Sequence, residues 1–297
     1  MEKLLRVNLA CWDYDRTRPI WDGRVKVEGI DLNYIPLWVE ETFSRMLTNK
    51  EFDVSEMSLS AYISSLFTKD KPFIAIPVFP SRTFRHRSIF VNVNSGIKEP
   101  KDIVGKKVGV YRFRHTASVW IRGTLADNYD LPLNSVTYYS GGLERPEEDE
   151  SKFWGLPSTG ERMATLGIKI EQIGERKTLS SMLENGEIDA LYTARMPSAF
   201  TARSKNISQL FKDYVHEEMA YYTKTKIFPI MHTIVIRRDL YEQNRWMAIS
   251  LLKAFIEAKE MAYKALYQTG ALRYMLPWMN WEVEQSFSFS DLFYFYS

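Results

Sequence analysis

The hydrophobic positions of this chain form short apolar runs that alternate with segments of helical spacing. Leu4 to Ala10 is an apolar-rich run followed by a polar loop, which is typical of a strand. Val39, Phe43 and Met46 recur at helical spacing and predict a helix over 39–47. The same patterns predict further strands at 52–54, 73–78, 88–93, 107–111, 135–139, 168–173, 188–192 and 233–237. They predict further helical segments at 58–67, 101–105, 116–125, 179–184 and 242–267, the last either continuous or broken once.

Strands that alternate with helices indicate βαβ units, so the predicted fold class is α/β with a largely parallel sheet. The stretches before and after Pro100 have the same order of elements without any repeat of sequence. They predict two α/β lobes. Ligands of such folds bind at the carboxyl ends of strands, in the crevice between the lobes. The loops that follow the predicted strands are therefore the first places to look for function.

Composition removes several classes of protein. Of 297 residues, 45% are hydrophobic and 26% charged, which is the ordinary globular balance and argues against disorder or a coiled coil. The net charge of +2 is too small to demand a nucleic acid or an anionic membrane as partner. Cys11 is the single cysteine, which excludes an intramolecular disulfide and a cysteine-based zinc site. Neither a membrane-spanning run nor the apolar core of a secretory signal is present, so we expect a cytoplasmic protein.

Charge is nevertheless concentrated in two places. Between Ser81 and Leu125 there are ten Lys and Arg and two acids, a local balance of 10 − 2 = +8. The run from Glu144 to Glu150 is acidic, which is usually a solvated face. The basic stretch differs, because its arginines lie among aromatic residues and histidines.

The loops after the predicted strands carry residues suited to binding an anion. Arginine forks bind carboxylates bidentately, and the backbone N–H groups that open a helix at Thr116 to Ser118 favour an anion as well. A single arginine or histidine is more often merely solvated or structural, so the conjunction is more informative than any member. Zinc-type, phosphate-loop and nucleophile-elbow motifs are all missing from the sequence. The candidate residues are Arg16, Arg18, Arg82, His86, Thr116, Ser118, Tyr192, Arg195 and His232.

Several longer segments resemble one family, the 4,5-dihydroxyphthalate decarboxylases. They are Asp15–Pro19, Asp22–Lys26, Glu28–Leu32, FDVSEMSLSAY (52–62), AIPVFPSR (75–82), VWIRG (119–123), VTYYSGG (136–142), GEIDALYTAR (186–195), FPIMHT (228–233), YEQNRW (241–246) and MLPW (275–278). The resemblance covers nearly the whole chain up to Trp278. Beyond it the alternation of Ser, Phe and Tyr from Ser286 to Ser297 departs from the family pattern, and we expect a truncated or altered end.

The resemblance implies the type II periplasmic-binding-protein fold, with the ligand cleft between two lobes. In that fold the chain begins in one lobe, crosses to the second and returns. We expect residues 1–90 and 234–297 in the first lobe and residues 91–233 in the second.

The resemblance also implies a reaction, in which 4,5-dihydroxyphthalate loses one ring carboxylate to give protocatechuate and CO2. Arg16, Arg18, Arg82 and Arg195 are then the expected carboxylate binders, assisted by Thr116, Ser118 and Tyr192. His86 and His232 are the candidates for proton donor or phenol base, because histidine titrates near neutral pH. Glu56 is a second candidate acid, on the expectation that partial burial raises its pKa.

Other properties follow less directly. The expected partner is a small aromatic dicarboxylate. No organic cofactor is expected, while a divalent metal held by His, Asp and Glu stays open, as does a homo-oligomer. The alternative function is a non-catalytic solute-binding protein of an ABC transporter, since fold alone does not separate the two. The missing signal segment favours the enzyme. A regulatory sensing domain is disfavoured, because the sequence lacks a helix-turn-helix segment.

Overall fold

The computed structural model describes residues 4–146, 166–174, 176–268 and 270–288. The chain divides into two compact units. The first comprises Met1–Arg82 and Ile230–Ser297, and the second comprises Thr83–Pro229. The chain therefore leaves the first unit, builds the second and returns, which is the path that the family resemblance implies.

The crossings between the units lie where strands end. The boundaries expected after residues 90 and 233 fall inside two strands, Ile89–Asn92 and Ile230–Arg237. Each strand is hydrogen-bonded to neighbours within its own sheet, so a boundary inside it would divide a continuous ladder of backbone pairs. The crossings accordingly lie at 82–83 and at 229–230.

The sheet of the first unit is built from both ends of the chain. Its strands are β1 (Leu5–Cys11), β2 (Ile30–Pro36), β3 (Val54–Ser58), β4 (Phe73–Arg82) and β11 (Ile230–Arg237). In the described part of the chain their order is β2-β1-β3-β11-β4. β1 runs parallel to β2 and β3, whereas β11 runs antiparallel to β3 and β4. β11 is thus inserted between two strands made early in the sequence.

Helices of the first unit accompany this sheet. They are α1 (Arg18–Trp21), α2 (Val39–Asn49), α3 (Leu59–Ser65), α8 (Arg238–Gln243), α9 (Met247–Leu266) and α10 (Met279–Ser288). Along α9, Met247, Leu251 and Phe255 recur every four residues and pack into one core with Leu9 and Ile234. Burying such a side chain contributes about 1.5–3 kcal/mol, so this stripe fixes α9 on the sheet.

The second unit has its own sheet. Its strands are β5 (Ile89–Asn92), β6 (Lys107–Tyr111), β7 (Thr137–Gly141), β8 (Lys169–Gln172), β9 (Ala190–Tyr192) and β10 (Ile207–Gln209), in the order β10-β5-β9-β6-β7-β8 among the described residues. Its helices are α4 (Thr116–Tyr129), α5 (Leu179–Glu184), α6 (Ser198–Thr201) and α7 (Tyr214–Thr225), with 3-10 turns at His86–Ser88 and Pro100–Ile103. Gly109 of β6 leaves room for Ile188 and for Leu179 of α5, because a Cβ there would lie 2.5 Å from Ile188 and 3.1 Å from Leu179.

The α/β fold class is confirmed by these two mixed sheets and their covering helices. Lys107–Tyr111 and Leu179–Glu184 have the predicted bounds. The single break allowed for in the helix expected over 242–267 lies between α8, which ends at Gln243, and α9, which begins at Met247. The strand expected at 52–54 is wrong in extent, because β3 continues to Ser58 through polar but fully buried residues.

Two sequence features fall outside the described residues. These are most of the acidic run, from residue 147 onward, and the Ser, Phe and Tyr tail from residue 289. Within the described ranges, none of the helices has the length and apolar character needed to cross a membrane.

Candidate active site

Pairing of β3 with β11 brings together two residues that are 176 positions apart, Glu56 and His232. Nδ1 of His232 lies 2.6 Å from Oε1 of Glu56. The Glu56 side chain is fully buried, and that of His232 is 14% exposed. A carboxylate out of water beside an imidazole at this distance forms a strong, charge-assisted contact.

An irregularity in the sheet sets the place of His232. The register between β11 and β4 shifts on both sides of this residue, between Ile230 and His232 and again between His232 and Ile234. Bulges of this kind re-aim a side chain and are over-represented beside functional sites. The ring of Phe43 from α2 then packs edge-on against the imidazole, with 4.9 Å between ring centroids.

The carboxylate of Glu56 receives donors on both oxygens. Oε1 accepts a hydrogen bond from the Tyr14 hydroxyl at 2.7 Å, in addition to the His232 contact. Oε2 accepts the Trp12 backbone N–H at 3.1 Å and the Cys11 thiol at 3.5 Å. A buried carboxylate is tolerated only when it is satisfied in this way.

These contacts decide the protonation of the group. Burial by itself raises the pKa of Glu56, but the charge of His232 and the hydrogen bonds from His232, Tyr14 and Trp12 outweigh it, so the pKa lies below its ordinary value. The expectation of a raised pKa was therefore wrong, and Glu56 is ionised at neutral pH. Burial and the nearby carboxylate raise the pKa of the Tyr14 hydroxyl and of the Cys11 thiol, so both stay protonated.

The tautomer of His232 follows. Because ionised Glu56 only accepts hydrogen bonds, Nδ1 of His232 carries a proton and donates it. Nε2 is then the ring nitrogen that gains or loses a proton. An imidazole held by a carboxylate in this manner is a general acid or base with a fixed orientation.

The arginines of the first unit have mostly local partners. The guanidinium of Arg16 donates from Nε to the Pro80 carbonyl at 2.6 Å and lies 4.2 Å above the ring of Tyr14. Arg18 is exposed and forms an ion pair with Asp13. Arg82 ends β4, opposite Ile230 of β11. Arg16 is thus a clamp on the loop that carries Tyr14.

His86 lies in the second unit in a different setting. It is 3% exposed, and its ring makes edge contacts with Tyr129, Phe211 and Tyr221. Within the described residues neither ring nitrogen has a hydrogen-bond partner. Burial lowers the pKa of His86 to about 4, so it carries no extra proton at neutral pH. His86 is therefore poorly suited to the donor role expected from the sequence.

The other residues expected to bind substrate in the second unit differ in access. Ser118 is fully buried and its hydroxyl donates to the Tyr111 carbonyl, which ties α4 to β6. Thr116 and Tyr192 are also buried, Tyr192 within the core. Arg195 is exposed, with its guanidinium 5.6 Å from the centroid of the Tyr111 ring. Tyr192 and Ser118 therefore expose almost no side-chain surface to solvent.

Similarity to proteins of known activity is clear in sequence. No family model matches the chain. A 4,5-dihydroxyphthalate decarboxylase from Comamonas testosteroni is 36% identical over 276 residues, which are 93% of this chain and 81% of that protein. The chain belongs to the 4,5-dihydroxyphthalate decarboxylase family. A protein of the same name from Pseudomonas putida is 36% identical over 209 residues, 70% of this chain and 78% of its own length.

Solved structures give weaker likenesses. The periplasmic aliphatic sulphonate-binding protein SsuA from Escherichia coli superposes with a TM-score of 0.49 at 13% identity, over 98% of this chain and 83% of that one. A Candida albicans protein described as having the generic periplasmic binding protein fold gives 0.47 at 11% identity, over 95% of this chain and 81% of that one.

For this decarboxylase family member, the structure unites some predicted residues and adds others. Glu56 and His232 are in contact, and both belong to the first unit with Arg16, Arg18 and Arg82. Tyr14, Trp12 and Cys11 were missed. Their position along the chain could have indicated them. Because parallel β1 and β3 pair Ala10 with Ser55, the residues that follow Ala10 lie at the end of β3.

Metal ligation was left open by the sequence. Across the described ranges, no group of three or more His, Cys, Asp or Glu side chains is arranged to hold a metal ion.

Proposed function

We propose that this protein is a carboxy-lyase that converts 4,5-dihydroxyphthalate to protocatechuate and CO2. The observation that carries the proposal is the 36% identity to a 4,5-dihydroxyphthalate decarboxylase over 93% of the chain. The buried pair of Glu56 and His232 supports it, because ring decarboxylation needs a proton donor at the carbon that loses the carboxylate.

In the proposed step His232 acts as the general acid. The hydroxyl para to the leaving carboxylate pushes electron density into the ring, and the proton on Nε2 of His232 goes to the ring carbon that bears the carboxylate. The bond from that carbon to the carboxyl carbon then breaks, and its electron pair returns to the ring. CO2 leaves, the ring carbon keeps the proton, and neutral His232 regains one from water.

Glu56 gives the proton donor His232 a defined orientation and tautomer. Its negative charge lies 2.6 Å from Nδ1 and keeps a proton there, so the imidazolium presents its second proton on Nε2. Glu56 is itself surrounded by donors and needs no contact with substrate. It is a positioning residue for the proton donor.

The substrate carries two carboxylates and calls for positive charge. We propose Arg82, which belongs to the same unit as His232, as a carboxylate binder, because an arginine fork matches a carboxylate. Arg16 contributes a cation in the same loop as Tyr14, although Nε is already committed to Pro80. We do not assign this role to Ser118 or Tyr192, whose side chains are buried.

The test is direct. Purified protein incubated with 4,5-dihydroxyphthalate should release CO2 and protocatechuate in equal amounts, and a His232→Gln variant should serve as the matched control. Metal-free buffer and added Mg²⁺ or Mn²⁺ form two parallel arms. Tight binding of the diacid without CO2 release in either arm, by a protein that melts cooperatively, would establish the solute-binding alternative.

A further inference from the structure

We infer that Tyr14 is a positioning residue of the decarboxylation, which tunes the proton donor His232 through the carboxylate of Glu56. This inference rests on the proposed function. Neither the family resemblance nor the sequence pattern singles out this tyrosine.

The geometry joins three groups around one atom. Oε1 of Glu56 lies 2.7 Å from the Tyr14 hydroxyl and 2.6 Å from Nδ1 of His232. The hydroxyl is also 3.4 Å from Nδ1. Two donors therefore share a single carboxylate oxygen, and each weakens the hold of that oxygen on the other.

Tyr14 is fixed at both ends. Its backbone N–H donates to the Trp12 carbonyl at 3.0 Å, and its carbonyl accepts the N–H groups of Thr17 at 3.1 Å and Arg18 at 2.9 Å. The guanidinium of Arg16 lies over its ring, 4.2 Å from the centroid, and is held in turn by Pro80. The Tyr14 hydroxyl is consequently directed at the Glu56 carboxylate.

Removal of the Tyr14 hydroxyl should change the rate of proton transfer in a predictable direction. With one donor fewer, the negative charge on Oε1 is less dispersed and attracts the Nδ1 proton of His232 more strongly. The imidazolium then becomes a weaker acid, and it is less firmly oriented. Both changes slow proton transfer to the substrate without weakening contacts to the substrate itself.

The other titratable groups around the Glu56–His232 pair each keep one protonation state. Among the described residues, the titratable and charged side chains that face it include Cys11 on β1, Tyr34 on β2, and Tyr14 and Arg16 in the loop after β1. Burial raises the pKa of Cys11, Tyr14 and Tyr34, so they stay neutral, and Arg16 keeps its charge. A change of the pH profile in Tyr14→Phe therefore reports on the Glu56–His232 pair.

Tyr14→Phe tests the inference, with Tyr34→Phe as matched control. Tyr34 donates its hydroxyl to the Trp12 carbonyl at 3.0 Å, in the same loop but not to Glu56. For Tyr14→Phe we expect kcat to fall roughly tenfold, the size typical of a hydrogen bond that supports a functional imidazole, with KM within twofold. The alkaline limb of the kcat–pH profile should move to higher pH. For Tyr34→Phe both quantities should stay at the wild-type values.

A second measurement does not depend on turnover. Nitrogen-15 NMR of the histidine rings should place the neutral-form proton of His232 on Nδ1, and its titration midpoint should rise in Tyr14→Phe. If wild-type protein releases no CO2, the proposed function fails while this titration still tests Tyr14. Should Tyr14→Phe not fold, 3-fluorotyrosine at position 14 donates more strongly and should lower the midpoint. An unchanged midpoint, or an unchanged kcat and pH profile in a folded Tyr14→Phe variant, would overturn the inference.

Discussion

Two histidines of this protein lie in opposite surroundings. His232, at a bulge in the sheet of the first unit, faces a buried carboxylate at 2.6 Å. His86, on a 3-10 turn of the second unit, is enclosed by three aromatic rings, and no described residue offers its nitrogens a hydrogen bond. The first environment places a carboxylate beside the ring, whereas burial in the second lowers the pKa of His86 to about 4. Residue type alone therefore says little about which histidine handles protons.

The largest expected effect separates the two histidines by activity. His232→Gln removes the proposed proton donor but keeps a polar group beside Glu56, and kcat should fall by roughly 10²–10⁴-fold. His86→Phe should retain the wild-type kcat, because a neutral ring within an aromatic cluster contributes no proton. Release of CO2 under saturating substrate measures both. A His232→Gln enzyme at the wild-type rate, or a greater loss in folded His86→Phe, would reverse the comparison.

The next effect concerns the carboxylate. Glu56→Gln replaces a carboxylate, which accepts hydrogen bonds from all its neighbours, by an amide. The N–H groups of the amide must then face some of the same donors. We expect kcat to fall about 10²-fold, since the imidazole loses both its counter-charge and its preferred tautomer. Glu51→Gln makes the same change at an exposed carboxylate of the first unit and should leave kcat unaltered. Equal rates for the two variants would show that the charge of Glu56 does not assist the reaction.

The smallest effect is on stability and has a defined pH window. The pKa of His86 falls from an ordinary 6.5 to about 4 in the folded protein because the ring is buried. Between these values the unfolded chain binds a proton that the folded protein does not. The free energy of unfolding should therefore fall as pH drops from 6.5 to 4, by about 2–3 kcal/mol from this group.

Denaturant unfolding of wild type and His86→Phe at several pH values measures that contribution. The variant should lack the loss between pH 6.5 and 4, while exposed His216→Gln should behave as wild type. Glu56 affects stability at lower pH, because its pKa in the folded protein lies below the ordinary value of 4.5. Its contribution to the free energy of unfolding is present above pH 4.5 and is lost as the pH falls further. Identical pH dependence for wild type and His86→Phe would mean that His86 is solvated.

Local pattern predicted the fold well where elements are regular. β6 and α5 were found to the residue, because each carries a clear apolar period between turn signals. The prediction for β3 ended too early, because Ser55, Glu56 and Ser58 are residue types typical of loops. They are buried in a central strand only because neighbours distant in sequence satisfy their polar groups, and such tertiary compensation leaves no local pattern.

The sequence predicted the residue types of the candidate site but not the contacts between those residues. Glu56 and His232 stand out in segments that resemble the family, yet nothing in either segment indicates their contact. The pKa of Glu56 was expected to rise because burial can be foreseen, whereas donors from Cys11, Trp12 and Tyr14 cannot be counted before the fold is known. The lowered pKa of His86 was missed for the complementary reason, since its aromatic neighbours come from three separate segments.

Insertion of β11 between β3 and β4 has a consequence for synthesis. A chain leaving the ribosome makes β3 and β4 early, but the strand that joins them appears only after residue 229. Until then the two strands present unpaired edges, which are prone to wrong pairing. Contacts of such long sequence separation also form slowly, because a large loop must close first. Newly made protein should therefore gain the Glu56–His232 pair late, and a chaperone that shields open sheet edges should raise its yield.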